Sequence, residues 1–324
     1  MNNISLWKQK LRENFTSWEK LADFLQLSDS HRSEILQRPN FPLNLPMRLA
    51  EKIKKATFDD PILKQFLPIK AEFTEQEGFV KDPTGDSLTR RSAKLLHKYE
   101  GRVLLIPTSA CAMHCRYCFR KNFDYEVTIK GFDNEVAMIR KDATIKEVIL
   151  SGGDHLSLSN EQLKSLLREL SEIPHIKRLR FHTRFPIGIP ERFDEELLQI
   201  LRSIPQHIWM VIHVNHAREL DDDILIALKK LPECGVSLLS QSVLLRGVND
   251  SADELFNLFE LLIDNGIMPY YIHQLDRVVG AAHFEVSEAE GLKLLDEVAK
   301  KLSGFGIPKY VREVSGEPYK VTVS

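Results

Sequence analysis

Cysteine is scarce in this chain: four in 324 residues. That excludes a disulfide framework, which needs thiols in number and spread along the sequence. An excess of either charge is also missing. Forty-four Lys and Arg against 46 Asp and Glu leave a formal net charge of −2, so no overall basic field exists to grip nucleic acid or an anionic membrane. No apolar run approaches the ~18 residues of a membrane span. The opening MNNISLWKQK lacks the basic start and apolar stretch of a secretory signal. These absences point away from nucleic-acid and membrane partners and towards the cytoplasm. Low-complexity segments and short solenoid repeats are lacking too. Hydrophobic residues make up 43% of the chain, enough to offset the entropy of ordering it, which excludes a mainly disordered protein.

What is present is periodic. Residues 17–27 and 44–56 carry apolar side chains at helical spacing, interrupted by prolines near positions 39–46. They read as a helical packing appendage. Residues 68–91 are polar and turn-rich, a connecting segment. From Arg102 onward, apolar β-rich runs recur at 103–107, 147–150, 178–182, 209–214, 236–241 and 268–274. Their spacing is close to the ~30 residues that a strand, a helix and two loops need, so they are successive βα units. Ser159, Ser251 and Ser287 each precede Gln or Glu by three residues, the capping-box pattern for the intervening helices. Gly266 and Gly304 stand where left-handed helix caps are expected.

Six strands fall short of a closed eight-stranded barrel. The expectation is therefore an α/β fold, an open (β/α)6 partial TIM barrel, with a doubly wound sheet as the alternative. The divisions are 1–97, helices and connector; 98–310, the barrel; and 311–324, a C-terminal segment.

The cysteines are unevenly placed. Cys111, Cys115 and Cys118 fall in Cys111-Ala-Met-His-Cys115-Arg-Tyr-Cys118, directly after the first expected strand, whereas Cys234 stands alone. Loops after strand C-terminal ends carry active groups in either architecture. Three thiolates without a nearby fourth can hold three irons of a [4Fe–4S] cube and leave one iron open. Zinc, with His114 or a distant residue as fourth ligand, competes, but Cys234 is poorly placed to supply a second knuckle. Inert buried cysteines are the third reading. Ser151-Gly152-Gly153-Asp154 ends the second strand. Its glycines permit close backbone approach and its carboxylate accepts from an ammonium, though alone it is also an ordinary turn.

Cys-x3-Cys-x2-Cys with Tyr117 before the last cysteine resembles the signature of the radical S-adenosylmethionine (SAM) superfamily. The resemblance implies a [4Fe–4S] cluster on Cys111, Cys115 and Cys118. Its open iron chelates SAM, whose cleavage gives a 5′-deoxyadenosyl radical. It also implies that Tyr117, Gly152, Gly153 and Asp154 lie against SAM. Longer stretches, HKYEGRVLLIPTSACAMHCRYCFRKNF, VILSGGDHL, IPHIKRLRFHTRFPIGIP, HVNHAREL, QSVLLRGVND and PYYIHQLDRVVGAAHF, resemble the lysine 2,3-aminomutase family. The ending REVSGEPYK is most similar to its branch that forms (R)-β-lysine for the modification of elongation factor P.

That family is an isomerase family using pyridoxal 5′-phosphate (PLP). By resemblance Lys320 holds PLP, with Glu313 seven residues before it, and Lys98 and Arg102 lie near the PLP phosphate. Arg120 clamps the substrate carboxylate, and Asp276 with Glu313 selects its far ammonium. Gln241, Arg246 and Asn249 fall in a matching stretch without assigned roles. The implied partners are free L-lysine and, functionally, elongation factor P and its lysyl ligase. The chain departs from typical lysine aminomutases in its less glycine-rich approach to Lys320 and in Glu for Asp at 313. It also lacks their cysteine-bearing extension, so the oligomeric state stays open, a dimer being one option. A radical SAM enzyme without PLP, or a non-catalytic iron–sulfur module, is the alternative.

Overall fold

A computed structural model of the protein describes residues 4–125 and 131–324. Residues 1–3 of the expected N-terminal region and 126–130 of the expected barrel lie outside the described residues. Ten strands form one sheet whose spatial order follows the chain. They are β1 (Arg90–Ser92), β2 (Leu95–Tyr99), β3 (Arg102–Leu105), β4 (Glu147–Leu150) and β5 (Arg178–Thr183), then β6 (His207–His213), β7 (Val236–Val243), β8 (Met268–His273), β9 (Lys309–Arg312) and β10 (Val321–Thr322). Strands β3 to β9 are parallel, and antiparallel partners cover both ends, β1 and β2 before β3 and β10 after β9. The architecture is the open partial barrel.

The six expected strands are all present, and β9 adds a seventh to the parallel run. Lys-Tyr-Val-Arg buries only its two central residues, too short and polar a stretch to stand out by periodicity. Strand β2 spans the expected boundary at 97/98, and β9 spans that at 310/311. The sheet thus runs through all three expected divisions.

Strand alternation sorts the side chains. In β5, Leu179 and Phe181 are buried towards the helices, while Arg180 and His182 face the barrel lumen. In β7, Val236 and Leu238 join the helix-facing core and Leu239, Gln241 and Val243 line the lumen. Closed barrels fill this interior with branched apolar chains. Here polar, mixed-size residues leave a cavity of about 830 Å³.

The outer helices follow from capping and amphipathic spacing. Asn160–Ser171 starts at a full Ser159–Gln162 capping box and buries Leu163, Leu166, Leu167 and Leu170. Ser251 and Ser287 accept from the backbone N–H of Glu254 and Glu290. Gly266 takes the left-handed conformation expected of it, at φ +71°. Gly304 does not. The helix Glu288–Ala299 ends earlier, and Gly304 opens a short 3-10 turn instead.

The N-terminal region folds into Leu6–Arg12, Trp18–Phe24, Asp29–Glu34, Met47–Glu51 and Pro61–Phe66. Trp7, Leu21, Ile62 and Phe66 belong to the same continuous core as the barrel helices. Among the described residues no helix is long and apolar enough to cross a membrane.

Candidate active site

Cys111, Cys115 and Cys118 lie on the loop after β3, half-buried and bordering the lumen cavity. Two sets of neighbours fix this loop. From the barrel side, Gly153 N–H donates to Thr108 O at 3.0 Å and Asp154 N–H to Ala110 O at 2.7 Å. A Cβ at Gly153 would sit 2.6 Å from Ala110 O, so the loop packs where only glycine fits. From the N-terminal side, Asn14 Nδ2 donates to Ala112 O at 2.8 Å and Asn44 Nδ2 to Cys111 O at 3.3 Å. Backbone N–H groups of His114 and Arg116 donate to Asn44 O and Gln65 O, both at 2.9 Å. The buried Arg116 guanidinium forks onto the Glu72 carboxylate at 2.8 and 2.5 Å.

The donor set fits an iron–sulfur cluster. Burial and the nearby Asp154 carboxylate push the Cys111 thiol well above its usual range, and burial pushes Cys118 up to about 11. Such thiols give up their protons to a bound cation. Arg184 Nη1 already donates to Cys115 Sγ at 2.8 Å, the contact a thiolate would attract. His114 turns to the N-terminal region, with Nδ1 2.9 Å from Pro42 O and its ring stacked on Phe41. Cys234 precedes β7 at the other end of the barrel and donates to Lys230 O.

Tyr117 and Asp154 are engaged by the protein itself. The Tyr117 hydroxyl lies 2.8 Å from His213 Nε2 and accepts from Asn215 Nδ2 at 2.6 Å and from Arg184. The Asp154 carboxylate accepts from Thr183 Oγ1 and from the N–H groups of Leu156, Arg184 and Phe185. It braces the end of β5. Gly152, at φ +106°, lets the turn pass Ile106, whose Cγ2 would lie 2.5 Å from any Cβ there.

At the far side of the cavity the β9–β10 hairpin pairs Arg312 with Val321, bringing Glu313 beside Lys320. Lys320 Nζ lies 2.5 Å from Glu313 Oε2, and Lys98 Nζ 2.5 Å from Oε1. The Tyr99 hydroxyl donates to the same Oε1. Burial alone would raise the Glu313 carboxyl; Lys320, Lys98 and Tyr99 outweigh it and hold it down at about 2. Asp276 is driven the other way, raised to about 7 by burial. Arg120 Nε donates to Asp86 at 2.8 Å and Nη1 to Ser151 at 3.3 Å.

Lys98, matched by resemblance to a phosphate contact, is drawn instead to Glu313 and to Thr84 O at 2.6 Å. Arg102 lies 4.5 Å over the Tyr99 ring. Arg180, on the next layer of the lumen, pairs with Glu147, while its buried Nε has no partner among the described residues. These cations suit a phosphate dianion and Lys320 suits a carbonyl, so the residues fit PLP.

Of the three unassigned residues, Gln241 lines the cavity and Arg246 pairs outward with Glu290 at 2.6 Å. Asn249 is buried and ties Leu245 N–H to the carbonyls of Asn215 and Val243. The sequence reading missed Asp86, Arg180, Arg184, Gln65 and Glu219. Only Arg180 carried a local signal, the period-two alternation of β5.

The pattern of the radical SAM superfamily matches residues 105–259. An L-lysine 2,3-aminomutase of Escherichia coli is 42% identical over 97% of this chain and 93% of its own length. One of Haemophilus influenzae is 38% identical over 97% and 94%. The fold is also similar to that of a radical SAM methyltransferase from Sphaerobacter thermophilus, with a TM-score of 0.51 at 16% identity, covering 67% of this chain and 68% of that one. With thiols and lysine facing one lumen and relatives matched along nearly their whole length, the chain belongs to the lysine 2,3-aminomutase family of radical SAM isomerases.

Proposed function

We propose that the protein converts free L-α-lysine to (R)-β-lysine, using a [4Fe–4S] cluster, SAM and PLP. One observation carries this reading: the three-cysteine loop and the Lys320–Glu313 pair border the same cavity. Both groups of chemistry thereby meet one substrate. The (R) product, its use in modifying elongation factor P with the lysyl ligase, and a cytoplasmic location rest on resemblance to that branch of the family.

When bound, the cluster with SAM supplies a radical that removes and returns a hydrogen, and PLP supplies a π-system that delocalises the rearranging centre. The chain's own residues position and protect. Cys111, Cys115 and Cys118 hold the cluster, with Tyr117, Gly152, Gly153 and Asp154 shaping the SAM side. Lys320 Nζ holds PLP, with Arg102 and Arg180 offering charge to its phosphate. Arg120 presents a guanidinium edge to the substrate α-carboxylate, a planar geometry lysine cannot reproduce. Asp276 and Glu313 receive the far ammonium. A site built for that charge leaves buried groups unpaired when a neutral chain enters, so neutral analogues are rejected.

The test is anaerobic incubation of reconstituted enzyme with SAM, PLP and labelled lysine. β-Lysine is expected, and borohydride should fix a pyridoxyl group on Lys320. A pyridoxyl group on Lys309, or rearrangement only of lysine already attached to elongation factor P, would overturn the assignment.

A further inference from the structure

Beneath the cysteine loop lies a charged network that the proposed reaction leaves without a task. Arg184, at the end of β5, points one side of its guanidinium at Cys115 Sγ, with Nη1 at 2.8 Å. Its other side is locked. Nη2 donates to Glu219 Oε2 at 2.6 Å and to Gln65 Oε1 at 2.7 Å. Glu219 and Gln65 are fully buried and Arg184 nearly so. Glu219 is held in turn by Gln65 Nε2 at 3.1 Å and the Asn215 N–H at 3.0 Å. Four separate parts of the chain therefore converge to fix one cation against one sulfur. The buried guanidinium needs the Glu219 counter-charge to be stable at all, and that pairing leaves Nη1 directed at the sulfur.

We infer that Arg184 and Glu219 are a positioning pair that sets the reduction potential of the cluster through the Cys115 sulfur. The inference rests on the cluster reading above. Hydrogen bonds and charge at cluster sulfurs, together with burial, are the protein's means of tuning such potentials. The guanidinium touches the sulfur while the carboxylate lies behind it. The cation therefore dominates at the cluster and favours the electron-richer, reduced state, and Glu219 tempers that bias. Low local dielectric keeps both effects large.

Because the cation lies closer to the sulfur than the carboxylate does, removing the carboxylate alone and removing both charges must move the potential in opposite directions. The experiment is an EPR-monitored redox titration of the reconstituted holoenzyme, with iron and sulfide measured on each sample. Glu219→Gln, nearly isosteric, leaves the guanidinium untempered and should ease one-electron reduction at least tenfold, about 59 mV upward. Arg184→Gln/Glu219→Gln removes both charges and should fall below wild type. Either comparison is sufficient if the other variant fails to retain its cluster. Unchanged potentials, or a shift of both variants in the same direction, would overturn the inference. Lysine rearrangement is assayed separately in wild type. A cluster-bearing wild type without it defeats the function proposed, whereas intact rearrangement with unmoved potentials defeats only the tuning role.

Discussion

Glu313 and Asp276 border one lumen yet titrate at opposite ends of the carboxylate range, near 2 and near 7. Two ammonium groups and a phenol saturate Glu313; Asp276 bears the cost of burial. The signs for stability differ accordingly. Glu313, depressed in the folded chain, contributes stability that is present above its unfolded value of 4.5 and lost as pH falls towards 2. Asp276, raised from 3.8, contributes stability below that value that is lost as pH rises through 7. An incoming ammonium reverses the second effect. Lysine binding at about pH 6 should therefore release a proton from Asp276. Calorimetry in buffers of different ionisation enthalpy would detect it, and Asp276→Asn should abolish the release while leaving PLP content unchanged.

At the scale of elements, the N-terminal region is a strap around the cysteine loop. Asn14, Asn44 and Gln65 hold its backbone, and Glu72 holds its one fully buried arginine. Removing one member of a buried ion pair strands the other, so Glu72→Ala should cost about 3 kcal/mol or more. Thermal unfolding would read that cost. Iron retention on dilution should fall with it, because the strap and the cluster loop share that contact. None of this was legible in the sequence. The cysteines announce themselves by spacing, whereas their holders are single polar residues scattered along a region that reads as packing. The strands were legible where apolar alternation was long enough, and β9 escaped because it buries two residues. Lys320 and Glu313 came from family resemblance, and the hairpin explains their seven-residue spacing: it folds one back upon the other.

For the molecule as a whole, strand direction divides the two ends of the barrel. The cysteine loop leaves the C-terminal end of β3, and Cys234 enters the N-terminal end of β7. A shared iron centre would have to span the barrel. Cys234→Ala should accordingly leave iron content and visible absorption intact, whereas Cys118→Ala should reduce both; metal analysis after reconstitution distinguishes the two.

Because the sheet is ordered as the chain is, the site is also ordered in time. Asn14, Asn44, Gln65 and Glu72 leave the ribosome before the cysteines they hold, and the barrel-side holders Gly153 and Asp154 come after them. Arg184 and Glu219 follow, one strand apart. Glu313 and Lys320 come after all seven parallel strands have been made. A chain interrupted anywhere in between carries the three thiols without Lys320, and so without the hairpin wall of the lumen that faces them.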